Sequence, residues 1–439
     1  MITKKPFEPK KMTAIHAPLA FHLLAKPTGS SCNMNCKYCF FLSKERLYPG
    51  STFRMTDDLL EEYIRQYIQC QKVPEVTVAW QGGEPTLMGL DFFRRSIELE
   101  KKYKRPSMRV HNTLQTNGIL LDDEWCKFFH DHKFLIGLSL DGPRDMHDAY
   151  RRDKGGNSTF DRVMRAVRLM QEHDVDFNIL ATVNAANGDH PIEVYRFFVD
   201  EAKAQFIQFV PIVELDNETG YQEGDKVTDR SVKPDQYGRF LISVFDEWIK
   251  RDVGVVFVQI FDMALGAWHG EPSGICAFSP TCGTALAMEH NGDLYSCDHF
   301  VEPKYFLGNI RDKTMTELVT SEKQRRFGQN KLEGLPRYCR ECEVLFACHG
   351  ECPKNRFVTT PDGEPGLNYL CAGYKAFFHH IDRPMKIMSN LLRQNRAPAE
   401  IAAINWQKDI PKMPSPRIGR NDPLSLWKWA QVQTLPWPS

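Results

Sequence analysis

The chain has 439 residues, with 56 basic and 56 acidic side chains, so its formal charge is zero. That balance offers no basic face to nucleic acid or anionic lipid, and no apolar run reaches the ~18 residues of a membrane helix. The length suits two domains, one of barrel size and one smaller.

The amino terminus is basic, but prolines and charges interrupt it where a signal peptide needs an apolar core. A cytoplasmic location is expected, and in that reducing compartment the 13 cysteines read as metal ligands rather than disulfides. A β-like run from Phe21 to Ala25 leads through Pro27-Thr28-Gly29 into Cys32-x3-Cys36-x2-Cys39. Thr56-Asp57-Asp58 starts a helix carrying Leu59, Leu60, Tyr63, Ile64 and Tyr67 at helical spacing. The strand Glu75 to Trp80 runs into Gln81-Gly82-Gly83-Glu84-Pro85, and a helix follows from Asp91 to about Lys104. The strand Val110 to Gln115 ends in Thr116-Asn117-Gly118, ahead of a helix from Leu121 to His130. The strand Phe134 to Leu140 ends in Asp141-Gly142-Pro143, and a helix spans Thr159 to Glu172. Then come the strand Phe177 to Val183, a helix from Pro191 to Lys203, the strand Phe206 to Val213 and a helix from Lys233 to Arg251. These six strand–helix units predict a parallel sheet with right-handed crossovers. Such sheets carry their chemistry at the carboxyl ends of the strands, where every special turn above falls.

Three thiols on one short loop can hold three irons of a [4Fe–4S] cube and leave the fourth without a protein ligand. A zinc knuckle or a disulfide is the plain alternative, but zinc takes four ligands in a closed site and no histidine follows at the right distance. Gly82 and Gly83 allow positive φ and close backbone approach to a ligand, while Glu84 and exposed backbone groups can meet an ammonium. An ordinary tight turn would use the same residues. Arg151 is either a fork for a carboxylate or a solvated member of Arg151-Arg152-Asp153-Lys154. Gln115 to Gly118 either lines the substrate side or simply ends a strand.

From Cys276 eight cysteines fall within 96 residues: Cys276, Cys282, Cys297, then Cys339-x2-Cys342-x5-Cys348-x3-Cys352, and Cys371. Eight thiolates suffice for two fully ligated [4Fe–4S] clusters, or for two Zn(Cys)4 sites. Asn291-Gly292-Asp293 reads as a hairpin turn, and the run after it ends at Cys297-Asp298-His299. Cys70 and Cys126 fall on helices as ordinary buried thiols. Phe377 to Leu392 is helical, and the proline- and tryptophan-rich tail from Asn395 reads as a barrel cap or a loose end.

The first cysteine loop, with Tyr38 before its third cysteine, and the Gly82-Gly83-Glu84-Pro85 turn resemble the radical S-adenosylmethionine (SAM) superfamily. The later cysteines resemble its SPASM extension. Between Phe21 and Cys371 the chain is similar to the anaerobic sulfatase-maturating enzymes, whose Cys-Asp-His segment matches Cys297-Asp298-His299. Further matching segments are Ala25-Lys26-Pro27 and Ser139-Leu140-Asp141-Gly142-Pro143. The resemblance implies an α/β fold: a partial (β/α)6 barrel over 18–252 and a SPASM domain over 253–375, between a tail at 1–17 and a helical carboxyl segment at 376–439. It implies a SAM-binding cluster on Cys32, Cys36 and Cys39. A first auxiliary cluster would take Cys276, Cys282, Cys297 and Cys352, and a second Cys339, Cys342, Cys348 and Cys371. Tyr38, Gly82, Gly83, Glu84, Ser139, Arg151 and Val213 are the implied SAM contacts, and Asp298 the implied base. The implied reaction is oxygen-independent oxidation of Cys or Ser to Cα-formylglycine in an unfolded sulfatase. A monomer with a flavodoxin or ferredoxin donor, and neither nucleic-acid nor membrane partner, completes the expectation. A maturase that cross-links or epimerises another ribosomal peptide shares the cysteines and is the alternative.

Overall fold

The computed structural model describes residues 18–404 except 284, together with 406; the expected tail at 1–17 and the segment 407–439 lie outside the described residues. In chain order come β1 (His22–Ala25), α1 (Asp57–Cys70), β2 (Glu75–Trp80), α2 (Leu90–Tyr103), β3 (Arg109–Thr116), α3 (Asp123–Asp131), β4 (Leu135–Ser139) and α4 (Arg144–Tyr150). They are followed by α5 (Phe160–Glu172), β5 (Phe177–Val183), α6 (Pro191–Arg196), β6 (Phe206–Pro211) and α7 (Pro234–Arg251). Each strand from β1 to β6 pairs in parallel with the next. The helices cover the sheet because each has one apolar face. On α1 that face is Leu59, Leu60, Tyr63, Ile64, Tyr67 and Ile68, all buried, with Tyr63 set edge-on to Trp80 of β2.

Two details depart from the sequence-based series. α4 follows the Asp141-Gly142-Pro143 turn directly, where no helix was expected. The helix expected to run through Lys203 instead widens into a π turn over Phe197–Glu201, with Phe197 and Phe198 both buried in the core.

Beyond α7 the chain adds to the same sheet. β7 (Phe257–Val258) pairs in parallel with β6 and leads straight into α8 (Gln259–His269). β8 (Ala285–Met288), β9 (Asp293–Tyr295) and β10 (Phe306–Asn309) form an antiparallel set, and β8 lies parallel to β1 with His22 opposite Ala285. The sheet thus has ten strands in the order β10-β9-β8-β1-β2-β3-β4-β5-β6-β7, and it crosses the expected boundary at 252/253 from both ends.

Short elements follow: α9 (Met315–Val319), α10 (Glu322–Glu333), α11 (Arg337–Arg340), α12 (Leu345–Cys348), and the hairpin of β11 (Val358–Thr359) and β12 (Pro365–Leu367). The last long helix, α13 (Cys371–Arg393), begins at the final cysteine and packs along α7 and α8. It starts six residues ahead of the expected Phe377, so the 375/376 boundary falls inside it. The crossing with α7 is tight: a Cβ on Gly373 would stand 2.2 Å from the Pro234 carbonyl oxygen, and one on Gly238 would meet Gly373 Cα at 2.8 Å. No helix among the described residues is long and apolar enough to cross a membrane.

Candidate active site

The first cysteine loop leaves the carboxyl end of β1 and is clamped to the segment after α4. Asn35 N donates to Arg152 O at 2.9 Å and Lys37 N to Tyr150 O at 3.0 Å. Tyr38 points inward, donating from its hydroxyl to Asp141 Oδ2 at 2.5 Å and accepting from Arg151 Nη1 at 2.8 Å. Asp141 is fully buried; desolvation raises its pKa and Arg151 opposes the rise. Arg151 is buried too, and its Nε lacks a hydrogen-bond partner among the described residues. A buried cationic donor left open at the cysteine loop fits an anionic ligand such as a carboxylate. Burial pushes the Cys32 thiol up to about 11 and Cys36 up to about 12, so iron binding there would displace protons.

The glycine turn after β2 packs against the approach to that loop. Gly83 N donates to Gly29 O at 2.8 Å and Glu84 N to Ser31 O at 2.9 Å. A Cβ on Gly83 would fall 2.0 Å from Ser31 O, and Gly82 has φ +129°. These glycines are therefore required by backbone-to-backbone approach, whatever ligand lies beyond them. Glu84 is turned into the fold. Its Oε1 accepts from Thr86 N, Thr86 Oγ1 and Thr116 Oγ1 at 3.1, 2.6 and 2.8 Å, and its Oε2 from Asn117 N at 2.8 Å. The carboxylate expected to face an ammonium instead ties the end of β2 to the end of β3. Asn117 carries the tie onward, donating to Asn33 Oδ1 at 2.7 Å and approaching Cys32 Sγ at 3.8 Å. Ser139, at the end of β4, accepts from Gln115 Nε2 at 2.9 Å. Val213 is buried two residues past β6, apart from this network.

The eight later cysteines fall into two sets. Cys276, Cys282, Cys297 and Cys352 line a cavity of about 680 Å³ with His22, Phe209 and Tyr237 of the barrel. Cys339, Cys342, Cys348 and Cys371 line a smaller one of about 20 Å³. Among the described residues, no three of His, Cys, Asp and Glu converge closely enough to grip one ion. Zinc would draw its thiolates to within roughly 3.8 Å of each other, given Zn–S bonds of about 2.3 Å. Four thiols spread around a hollow suit a larger cube.

Asp298 follows Cys297 and forms an ion pair with Lys26, which is almost wholly buried at the carboxyl end of β1. Lys26 Nζ also donates to Gln81 Oε1 at 2.8 Å and lies 4.5 Å from the Phe41 ring centroid. Burial alone would raise the Asp298 pKa, but the Lys26 charge outweighs it and holds the carboxyl below its ordinary range. The proton affinity is therefore lowered, where burial alone suggested a rise. Burial keeps His299 neutral, with its pKa down to about 3.

The family model of the radical SAM superfamily matches residues 27–198, and that of SPASM, an iron–sulfur cluster-binding domain, matches 276–343. A serine-type anaerobic sulfatase-maturating enzyme of Bacteroides thetaiotaomicron is 46% identical over 398 residues, covering 88% of this chain and 96% of that relative. This chain belongs to the anaerobic sulfatase-maturating enzymes. A cysteine-type member from Clostridium perfringens is 35% identical over 84% of this chain and 98% of its own length. The solved anSMEcpe structure with bound AdoMet superposes with a TM-score of 0.76 at 34% identity, over 84% of this chain and 99% of that one. Against the pattern shared by such maturases, the sequence reading missed three groups. Asp141 was read only as a turn residue, although its burial beside Tyr38 and Arg151 makes it the hinge of that network. Thr116 and Asn117 were read as facing substrate, and they hold Glu84. Lys26 had a visible signal, a lysine closing the apolar run Leu23-Leu24-Ala25.

Proposed function

We propose that this enzyme oxidises a Ser or Cys side chain in an unfolded sulfatase segment to Cα-formylglycine, without oxygen, using SAM and three [4Fe–4S] clusters. The observation that carries the reading is the Lys26–Asp298 pair. It joins a carboxylate from the auxiliary cysteine segment to the barrel strand that opens into the three-cysteine loop.

When bound, the cofactors supply the radical that takes a hydrogen atom from Cβ of the target and the sink for the remaining electron. Cys32, Cys36 and Cys39 hold the first cluster, and the two four-thiol sets hold the others. Arg151 offers its open Nε to the SAM carboxylate, with Tyr38 and Asp141 fixing its angle. Gly82, Gly83 and Glu84 form the turn beside the methionyl part, Ser139 and Val213 flank the ribose and adenine, and Glu84 acts by fixing the turn. Asp298 accepts the hydroxyl or thiol proton of the target. Lys26 keeps it ionised and oriented, so the group's value lies in position more than in basicity. The donor of the initiating electron is a flavodoxin or ferredoxin, and the enzyme acts as a cytoplasmic monomer. All 13 cysteines are free, as a reducing compartment allows.

The test is anaerobic incubation of the reconstituted enzyme with paired Ser and Cys sulfatase peptides, read by mass spectrometry and hydrazine capture. A hydrazine-reactive aldehyde is expected from at least one peptide. Oxidation without a carbonyl would favour a cross-linking or epimerising maturase and overturn the assignment.

A further inference from the structure

The turn between Cys348 and Cys352 joins one cysteine set to the other, and its backbone is unusual. His349, Gly350 and Glu351 are consecutive residues in the left-handed region, with φ of +47°, +69° and +51°. Two of them are not glycine, and each such residue costs on the order of 1 kcal/mol. What the turn encloses is Arg356. Its Nε donates to Gly350 O at 2.8 Å, and Nη2 donates to His349 O at 2.8 Å and Glu351 O at 3.0 Å. Nη1 donates to Lys331 O at 2.5 Å, so four backbone carbonyls grip one guanidinium. Gly350 leaves the room: a Cβ there would meet Arg356 Nη2 at 2.8 Å and Leu335 Cδ2 at 2.4 Å.

The guanidinium stands within electrostatic reach of both sets. Cys339 and Cys348 act on it from one side and Cys352 from the other, and Cys282 feels it in turn. Lys331 is a second cation with a narrower range. Its Nζ is fully buried and donates to Cys276 O and Ala277 O, both at 2.7 Å, and it interacts with Cys282 and Cys352 of the first set. A cluster held by four thiolates gains a further negative charge on reduction, and reduction potential follows local charge and hydrogen bonding. A cation fixed at this range stabilises the reduced form more than the oxidised one.

We propose that Arg356 is a positioning residue shared by both auxiliary clusters, raising the reduction potential of each, while Lys331 raises only that of the cluster on Cys276, Cys282, Cys297 and Cys352. Together they make the auxiliary pair a ready acceptor for the electron released by the target. The inference rests on the cluster assignment above.

The full chain is reconstituted anaerobically in a Cys32→Ala/Cys36→Ala/Cys39→Ala background, so that only auxiliary clusters contribute. Iron analysis should return about eight irons, and an EPR-monitored potentiometric titration then resolves the two couples. Arg356→Met should shift both couples to more negative potential, and Arg356→Lys, which keeps the charge, should leave them near the parent values. Lys331→Met should move one couple only. Unmoved potentials in an iron-replete Arg356→Met variant would overturn the proposal, as would equal shifts of both couples in Lys331→Met. Should Arg356→Met fail to retain iron, Lys331→Met decides, because a shift confined to one couple supports the proposal and no shift sinks it. A parent protein without auxiliary iron would defeat both this inference and the cluster assignment, whereas full iron with unmoved potentials defeats this inference alone.

Discussion

Replacing Asp298 by Asn keeps the shape of the side chain and removes its ability to accept a proton. SAM cleavage should persist while peptide oxidation falls roughly 10²–10⁴-fold, the usual worth of a positioned base. The ratio of 5′-deoxyadenosine to formylglycine reads the uncoupling directly, and a ratio like that of the wild type would remove Asp298 from its role. Lys26→Met strands the Asp298 charge in a buried setting, which typically costs roughly 3–5 kcal/mol. Adding Asp298→Asn to Lys26→Met should recover much of that loss in chemical denaturation. If the two losses simply add, the ion pair is not what couples β1 to the auxiliary segment. A third residue has its own pH signature. Glu100 on α2 is buried, accepting from Ser96 Oγ at 3.1 Å and Asn112 Nδ2 at 2.9 Å, and burial raises its pKa from 4.5 to about 7. Its folded-state value is the higher one, so the folded protein prefers the protonated form. The resulting stabilisation is complete below about 4.5, is lost as pH rises, and is gone above about 7. The loss is about 3 kcal/mol. Glu100→Gln should flatten this part of the stability profile, as urea titrations at pH 5 and pH 8 would reveal.

At the scale of elements, the sharpest stability prediction lies where α7 and α13 cross. Gly373→Ala forces a methyl into the space of the Pro234 carbonyl oxygen, and overpacking of this kind costs about 1–3 kcal/mol. Because Cys371 opens α13, the variant should lose melting temperature and auxiliary iron together; iron loss without a thermal effect would contradict this coupling. Much at this scale was legible in the sequence. β2 and β5 have the expected bounds, since apolar β-branched runs ending in glycine or asparagine carry a local signal. α4 was not legible, because seven residues after a glycine–proline turn are too few for periodicity to register. Local pattern also separated the cysteine sets but could not show which way a buried side chain turns. Glu84 is the case in point, since its four donors come from its own turn and the end of β3.

At the scale of the whole molecule, the barrel and the auxiliary segment differ in what holds them. The barrel core is continuous and apolar, whereas the stretch from Cys276 to Cys371 consists of short elements arranged around thiols. Stripping iron with a chelator should therefore raise hydrogen exchange first in 310–371, with β2 to β6 protected for much longer. Simultaneous loss of protection in both regions would show that the clusters support the entire fold. The pairing of β8 with β1 was beyond the reach of sequence patterns, because parallel strands some 260 residues apart leave no local mark on each other.

That same pairing dictates how the chain can be recombined. With β2 on one side and β8 on the other, β1 is an interior strand, and its Lys26 answers to a carboxylate on the far flank. A chimera that borrowed a relative's auxiliary segment alone would inherit a hairpin fitted to a foreign strand, so the transplantable unit must include residues 22–26 as well.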